Sequence, residues 1–225
     1  MKDSSEYGAR LKRLVNRLTR AGASGEAAPA NDLMTELVLG CLSAYTTEAK
    51  ARTAWHRLRS NFVDYNELRV SRAAEVADVL GRGFPEARPA AEQLLTLLQG
   101  IFDKYDSLNL EPLRELSKRD AKLFLEALPG SSPYVVAWLM LRGLGAHAMP
   151  VGETLLTMLR EEGVVDPSAD APTVQGFLER QISSQRVHKV YALLRQHADN
   201  PNKKPARPAK KAADKAPPRR NPKEA

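Results

Sequence analysis

The chain has 225 residues, enough for one large domain or two small ones with a real core, and its 43% hydrophobic and 27% charged residues are ordinary for a globular protein. Its longest apolar runs are too short to span a bilayer, and its N-terminus lacks a signal-peptide core. A single cysteine, Cys41, excludes an intrachain disulfide, an iron–sulfur cluster and a zinc ribbon.

These features predict a cytoplasmic protein in which Cys41 is a small buried hydrophobe. The formal net charge of +7 comes entirely from residues 200–225, where nine Lys/Arg face Asp214 and Glu224; residues 1–199 carry 25 charges of each sign. That tail includes Lys203, Lys204, Lys210, Lys211, Arg219 and Arg220 among six prolines, with no bulky apolar side chain, so it is expected to be disordered. Such a segment suits sequence-blind neutralisation of phosphates. A solubilising tail or a weak membrane-surface contact are the alternatives, but it offers neither amphipathic helix nor aromatic anchor.

In chain order, "YGARLKRLVNRLTRAG" places Leu11, Val15 and Leu18 on one face of a helix that closes at Gly22. A small-residue linker, "GASGEAAPAN", follows. "DLMTELVLGCLSAY" carries a Leu33, Leu37, Cys41 ridge, and Thr46 or Thr47 can cap the next helix, "EAKARTAWHRLRSNF". Ser71 can cap "RAAEVADVLG". "EARPAAEQLLTLLQGIFDKY" aligns Leu94, Leu98, Ile101 and Tyr105, with Pro89 in its first turn. "SKRDAKLFLEAL" begins with a capping-box pattern, Ser117 with Asp120. There is no period-2 alternation and no Asn-Gly turn, so the expected fold class is all-α.

"LEALPGSSPYVVAW" reads as a helix, a tight turn and a second helix. Leu128-Pro129-Gly130 ends the first, Gly130 being free to adopt positive φ, while Ser131 and Ser132 can cap the second with Pro133 in its first turn. Pro129, Gly130, Ser131 and Ser132 make such a turn, whose exposed N–H groups form an anion site suited to a DNA phosphate. An ordinary pair of antiparallel helices is the plainer reading of this stretch taken alone. The second helix, Tyr134 to Leu144, is apolar on nearly every side and should be deeply buried.

Four stretches in order resemble the helix-hairpin-helix DNA glycosylase superfamily, in its endonuclease III branch. "LKRLVNRLTRAG" looks like the family's N-terminal helix, and "ELVLGCLSAYTTEAKARTAW" like its "LLSAQATD" segment and the helix after it. "FLEALPGSSPYVVAWLML" is similar to "LEALPGVGRKTANVVL", and "AMPVGETLLTML" falls where the family has "IAVDTHIFRV". The resemblance covers roughly residues 8 to 198. It implies two lobes, about 31–145 and 8–30 plus 146–198, a monomer, and duplex DNA, damaged or not, as partner.

The departures bear on chemistry. The family's hairpin lysine, which forms a Schiff base with the sugar, corresponds to Tyr134, whose phenol makes no imine. The family's aspartate corresponds to Gly152. Glu153 is next in sequence, but one residue along a helix turns a side chain by about 100°. Glu153 could take that role only if the local register shifts. The cluster cysteines are missing, and Ser132 replaces the hairpin's second glycine. Tyr45 stands where the family inserts a glutamine into the stack vacated by a flipped base, so it is either an aromatic wedge or a helix-terminal residue resting on the core.

Arg142 and His147 read as groove-lining or, more plainly, as solvated surface, and Asp103, Asp106 and Glu111 as a solvated acidic face. No histidine has a partner spaced for a metal, so no metal or cofactor is expected. Three functions remain open. The leading one is a DNA-binding, repair-associated relative without the standard lyase or glycosylase chemistry, associated with the nucleoid if bacterial. The second is an active monofunctional glycosylase using Glu153, and the third a non-enzymatic nucleic-acid or protein interaction domain.

Overall fold

A computed structural model describes residues 4–21 and 32–200. The linker residues after Ala21 and the basic tail, including Lys203, Lys204, Lys210, Lys211, Arg219 and Arg220, lie outside them. The described residues are helical, without a strand: α1 (Ser4–Arg20), α2 (Leu33–Tyr45), α3 (Glu48–Asn61), α4 (Tyr65–Val70), α5 (Ala73–Leu80), α6 (Ala87–Tyr105), a 3-10 turn (Glu111–Arg114), α7 (Lys118–Glu126), α8 (Pro133–Trp138) running into a π-helical turn (Leu139–Gly143), α9 (Glu153–Glu161), α10 (Ala171–Gln181) and α11 (Val187–Asp199). No described helix is long and apolar enough to cross a membrane.

The expected apolar faces are the buried ones. Leu11, Val15 and Leu18 of α1 are joined by Leu14, and Leu33, Leu37 and Cys41 of α2 are all inaccessible. Burial pushes the Cys41 thiol up to about 12, so it stays protonated and unreactive. On α6, Leu94, Leu98 and Ile101 are buried with Leu97, but Tyr105 is 38% exposed and stacks on Phe124 instead.

Local caps set the helix boundaries. Asp32 accepts the Thr35 N–H at α2, Thr47 rather than Thr46 caps α3, and Ser117 accepts the Asp120 N–H at α7. Ser71 does not cap α5. It ends α4, its hydroxyl donating to the Glu67 carbonyl, and Arg72 precedes α5 without a side-chain bond. The sequence reading missed α4 itself, six residues started by Asp64, whose carboxylate accepts the Asn66 and Glu67 N–H groups. Glu111 is also more than acidic surface: its carboxylate accepts the Leu33 N–H at 2.7 Å and pairs with Arg114, tying the 3-10 turn to the start of α2.

The helices fall into two packing groups: α2, α3, α5, α6 and α8 are linked by mutual contacts, and α1, α9, α10 and α11 by theirs. Glu162, just after α9, joins Arg17 of α1 at 2.6 Å to His197 of α11 at 3.2 Å. Burial raises the Glu162 carboxyl, but the bonds from Arg17 and His197 outweigh it and hold the group below its ordinary value. A lowered carboxyl contributes stability above the unfolded value, about 4.3, and loses it as pH falls through the folded one. Thermal melts from about pH 6 down to about pH 3 should therefore show a shallower loss in Glu162→Gln than in the native chain.

Candidate nucleic-acid interface

The hairpin forms as its residue types dictate. α7 ends at Glu126, and Gly130 turns the chain with φ +76°, a conformation that favours glycine. A Cβ there would also lie 3.1 Å from Thr96 and 3.2 Å from the Gln93 carbonyl oxygen, so the turn sits hard against α6. The Gln93 amide donates to the Gly130 carbonyl at 2.8 Å and locks it. Ser132 caps α8 by accepting the Val135 N–H, Pro133 occupies the first turn, and Pro129 packs on Gly100 of α6. The Ser131 N–H returns to the Leu128 carbonyl. The N–H groups of Gly130, Ser132 and Tyr134 carry no hydrogen bond among the described residues. Ser131 and Ser132 are half-buried and Pro129 is exposed.

From Tyr134 to Leu141 the second helix is buried throughout, as its apolar sequence predicts. It widens into the π turn at Leu139–Gly143, where Gly143 packs against Leu33. The sequence carried no sign of that widening.

Tyr134 is the hub of the region. Its hydroxyl accepts from Arg195 Nη1 at 3.0 Å and lies 3.4 Å from the Tyr191 hydroxyl. Arg195, 2% exposed in mid-α11, also donates to the Ser43 and Thr46 carbonyls at the end of α2 and pairs with Asp199 at 2.9 Å. Asp199 in turn accepts the Glu48 N–H at the start of α3. Burial works against the Arg195 charge, yet Tyr134, Tyr191 and Asp199 around it more than compensate and raise its pKa. Both tyrosine hydroxyls are pushed upward, chiefly by burial, and stay protonated. The phenol at 134 thus joins α8 to α11 and α2 as a structural group.

Gly152 explains the other departure. It precedes α9 as an N-cap without a capping side chain, and a Cβ on it would meet Tyr134 Cε2 at 3.1 Å and Cδ2 at 3.2 Å. The tyrosine ring fills the space an aspartate side chain would enter. Tyr134 and Gly152 thus pack as one unit. Glu153 is exposed in the first turn of α9, and its carboxylate accepts from the Thr157 hydroxyl at 3.5 Å.

Tyr45 closes α2, half-buried and resting against the core, its hydroxyl pKa raised chiefly by burial. Arg142 is not solvated surface: 6% of its side chain is exposed, and it lies over the Trp138 ring with Glu36 and Glu48 at 4.0 and 3.4 Å. The inaccessible Glu36 accepts the Trp138 indole N–H at 2.9 Å. His147 is exposed, its Nε2 2.8 Å from the Ile182 carbonyl oxygen. Sequence reasoning passed over Arg195, Tyr191 and Glu36. The signal was available, because a charge set inside an apolar helical face, as in "YALLRQ" or "MTELVL", must find buried partners. Among the described residues no group of His, Cys, Asp or Glu is placed to hold a metal.

This helix order, with a tight turn between α7 and α8, is the fold of the helix-hairpin-helix DNA glycosylases. A trapped endonuclease III–DNA covalent intermediate matches over 88% of this chain and 86% of its own, with TM-score 0.65 and 15% identity. The Clostridium acetobutylicum 8-oxoguanine glycosylase/lyase bound to DNA matches over 89% and 71%, with TM-score 0.65 and 16% identity. The H. pylori 3-methyladenine DNA glycosylase matches over 89% and 99%, with TM-score 0.61 and 15% identity. No protein-family model matches the chain, and no curated protein matches it in sequence.

Proposed function

We propose that the chain binds DNA through its 128–134 hairpin and lacks the lyase chemistry of the structures it resembles. The observation that supports this best is the turn itself: three unpaired N–H groups, of Gly130, Ser132 and Tyr134, on a backbone locked by Gln93. Backbone amides in such a turn are suited to a phosphate oxygen and read no sequence. The lobes 31–145 and 8–30 plus 146–198 would form the two walls of the DNA cleft, with Tyr45 at the end of α2 available as an aromatic wedge. The tail cations, Lys203, Lys204, Lys210, Lys211, Arg219 and Arg220 included, would add salt-sensitive affinity for the backbone. On this reading the protein is a monomer that recognises duplex DNA, damaged or intact, in base-excision repair.

Anisotropy titrations with a labelled duplex test the reading. Ser131→Glu places a negative charge at the turn while leaving the core untouched, and should weaken binding about tenfold, or about 1.4 kcal/mol. Ser131→Lys should strengthen it, which separates charge from misfolding. Deleting residues 201–225 should flatten the dependence of affinity on salt. Equal affinities for native, Ser131→Glu and Ser131→Lys chains would refute the hairpin as the DNA contact.

A further inference from the structure

An aromatic groove of about 380 Å³ opens between α3 and α4, away from the hairpin, and the DNA reading makes no use of it. Trp55, Phe62 and Tyr65 line it, the Trp55 and Tyr65 rings stacked with centroids 5.8 Å apart. Val63, 91% exposed, stands on its wall. Two exposed carboxylates border it, Asp32 and Asp64, each capping a helix, while Arg59 lies over the Trp55 ring. Aromatic slots rimmed by carboxylates suit proline-rich segments that carry cations, because the extended proline helix is preformed and loses little entropy on docking.

The chain supplies such a segment. "KKPARPAKK", residues 203–211, spaces Pro205 and Pro208 by three, which puts both on one face of a three-residue-per-turn helix. Lys204 and Arg207, also three apart, fall on an adjacent face. Its start is anchored near the groove. Asp199, at the end of α11, accepts the Glu48 N–H at 2.8 Å, so the tail leaves beside the first residue of α3. From there Trp55 and Phe62 lie about 10 and about 21 Å along the helix. In extended form Pro205 reaches about 15 Å beyond Asn200, and Pro208 about 25 Å. The lengths match. The linker ahead of Asp32 is nearer in sequence but has one charge, Glu26, and no cation to offer the carboxylates.

We propose that residues 203–211 dock in cis in the Trp55–Phe62–Tyr65 groove, with Lys204 and Arg207 against Asp32 and Asp64. Docking stands independently of DNA binding. If the tail also contacts DNA, phosphates and groove compete for the same cations, and the groove holds the tail back until DNA arrives.

Zero-length carbodiimide cross-linking of the full-length protein, read by peptide mass spectrometry on the monomer band, tests docking directly. Links from Lys203, Lys204, Lys210 or Lys211 should concentrate on Asp32 and Asp64. Val63→Lys, at a position too exposed to disturb the fold, should cut them at least fivefold by placing a cation on the groove wall. Links scattered over other surface carboxylates, or insensitive to Val63→Lys, would overturn the proposal. So would links found only in a cross-linked dimer, which would assign the groove to another copy's tail. Adding a short duplex should deplete the Asp32 and Asp64 links; persistence in a chain that binds the duplex would overturn the competition while leaving docking in place. A chain that links as expected but binds no duplex would refute the DNA reading alone.

Discussion

Arg195→Ala is expected to lower the melting temperature by about 10 °C, the largest loss of any single substitution considered, because it removes the centre of a buried network rather than one contact. The guanidinium satisfies the Tyr134 hydroxyl, the Ser43 and Thr46 carbonyls and the Asp199 carboxylate at once. Its loss leaves a buried carboxylate without its cation, at a cost of about 3–5 kcal/mol. Tyr134→Phe takes away one acceptor only, and should cost about 1–3 kcal/mol by stranding one guanidinium N–H. Differential scanning calorimetry on both variants checks the ranking. Equal losses would mean that the network stands or falls with the phenol; no loss in Tyr134→Phe would mean that Arg195 is held by its carbonyl and carboxylate contacts alone.

The second large effect is a change of sign. Aspartate is a good N-cap, worth about 1 kcal/mol over residues that cannot cap, and Gly152 stands at the N-cap of α9 with φ −96°, which any residue adopts. Even so, Gly152→Asp should destabilise the native chain by about 2–3 kcal/mol, because its Cβ would sit 3.1 Å from the Tyr134 ring and its carboxylate would be pressed against buried apolar surface. With Tyr134→Ala already in place the ring is gone, and Gly152→Asp should be neutral or stabilising. The coupling between the two sites is then about 2–3 kcal/mol, measurable by urea denaturation of the four proteins. Additive effects would refute the view that the two positions form one packing unit.

Much of the fold was legible from helical periodicity and caps. α1, α2, α6 and α7 each show a continuous apolar stripe, those stripes are the buried faces, and α2 and α7 also start at a capping side chain. The hairpin was legible residue by residue, since Gly130, Ser132 and Pro133 each have one geometric job in such a turn. α4 was not, because its six residues bury only Leu68 and the helix depends on the Asp64 cap. Ser71 was misassigned for the same reason: without α4 in view, its hydroxyl had only α5 to cap.

The site was legible as positions and illegible as partnerships. Sequence order placed Tyr134 and Gly152 where the family keeps its reactive pair, but their contact crosses 18 residues and exists only in three dimensions. Arg142 and Glu111 read as surface because charge is ordinarily solvated, but Arg142 is held against Trp138 of its own helical segment by Glu48 of α3, and Glu111 by the Leu33 N–H of α2.

On the proposed function the chain pairs a glycosylase fold with a hairpin that grips DNA, and Tyr134 and Gly152 pack together where the resemblance places a reactive pair. The most direct measurement is a single-turnover reaction with labelled duplexes carrying oxidised, alkylated, deaminated or abasic sites, with borohydride added to one set to trap any imine. Glu153→Gln is run beside the native chain, and an active glycosylase beside both. Intact strands and no trapped complex are expected in the native lanes, on duplexes that the protein binds. Base release that disappears in Glu153→Gln would contradict that expectation, and would make Glu153 the working carboxylate of a monofunctional enzyme.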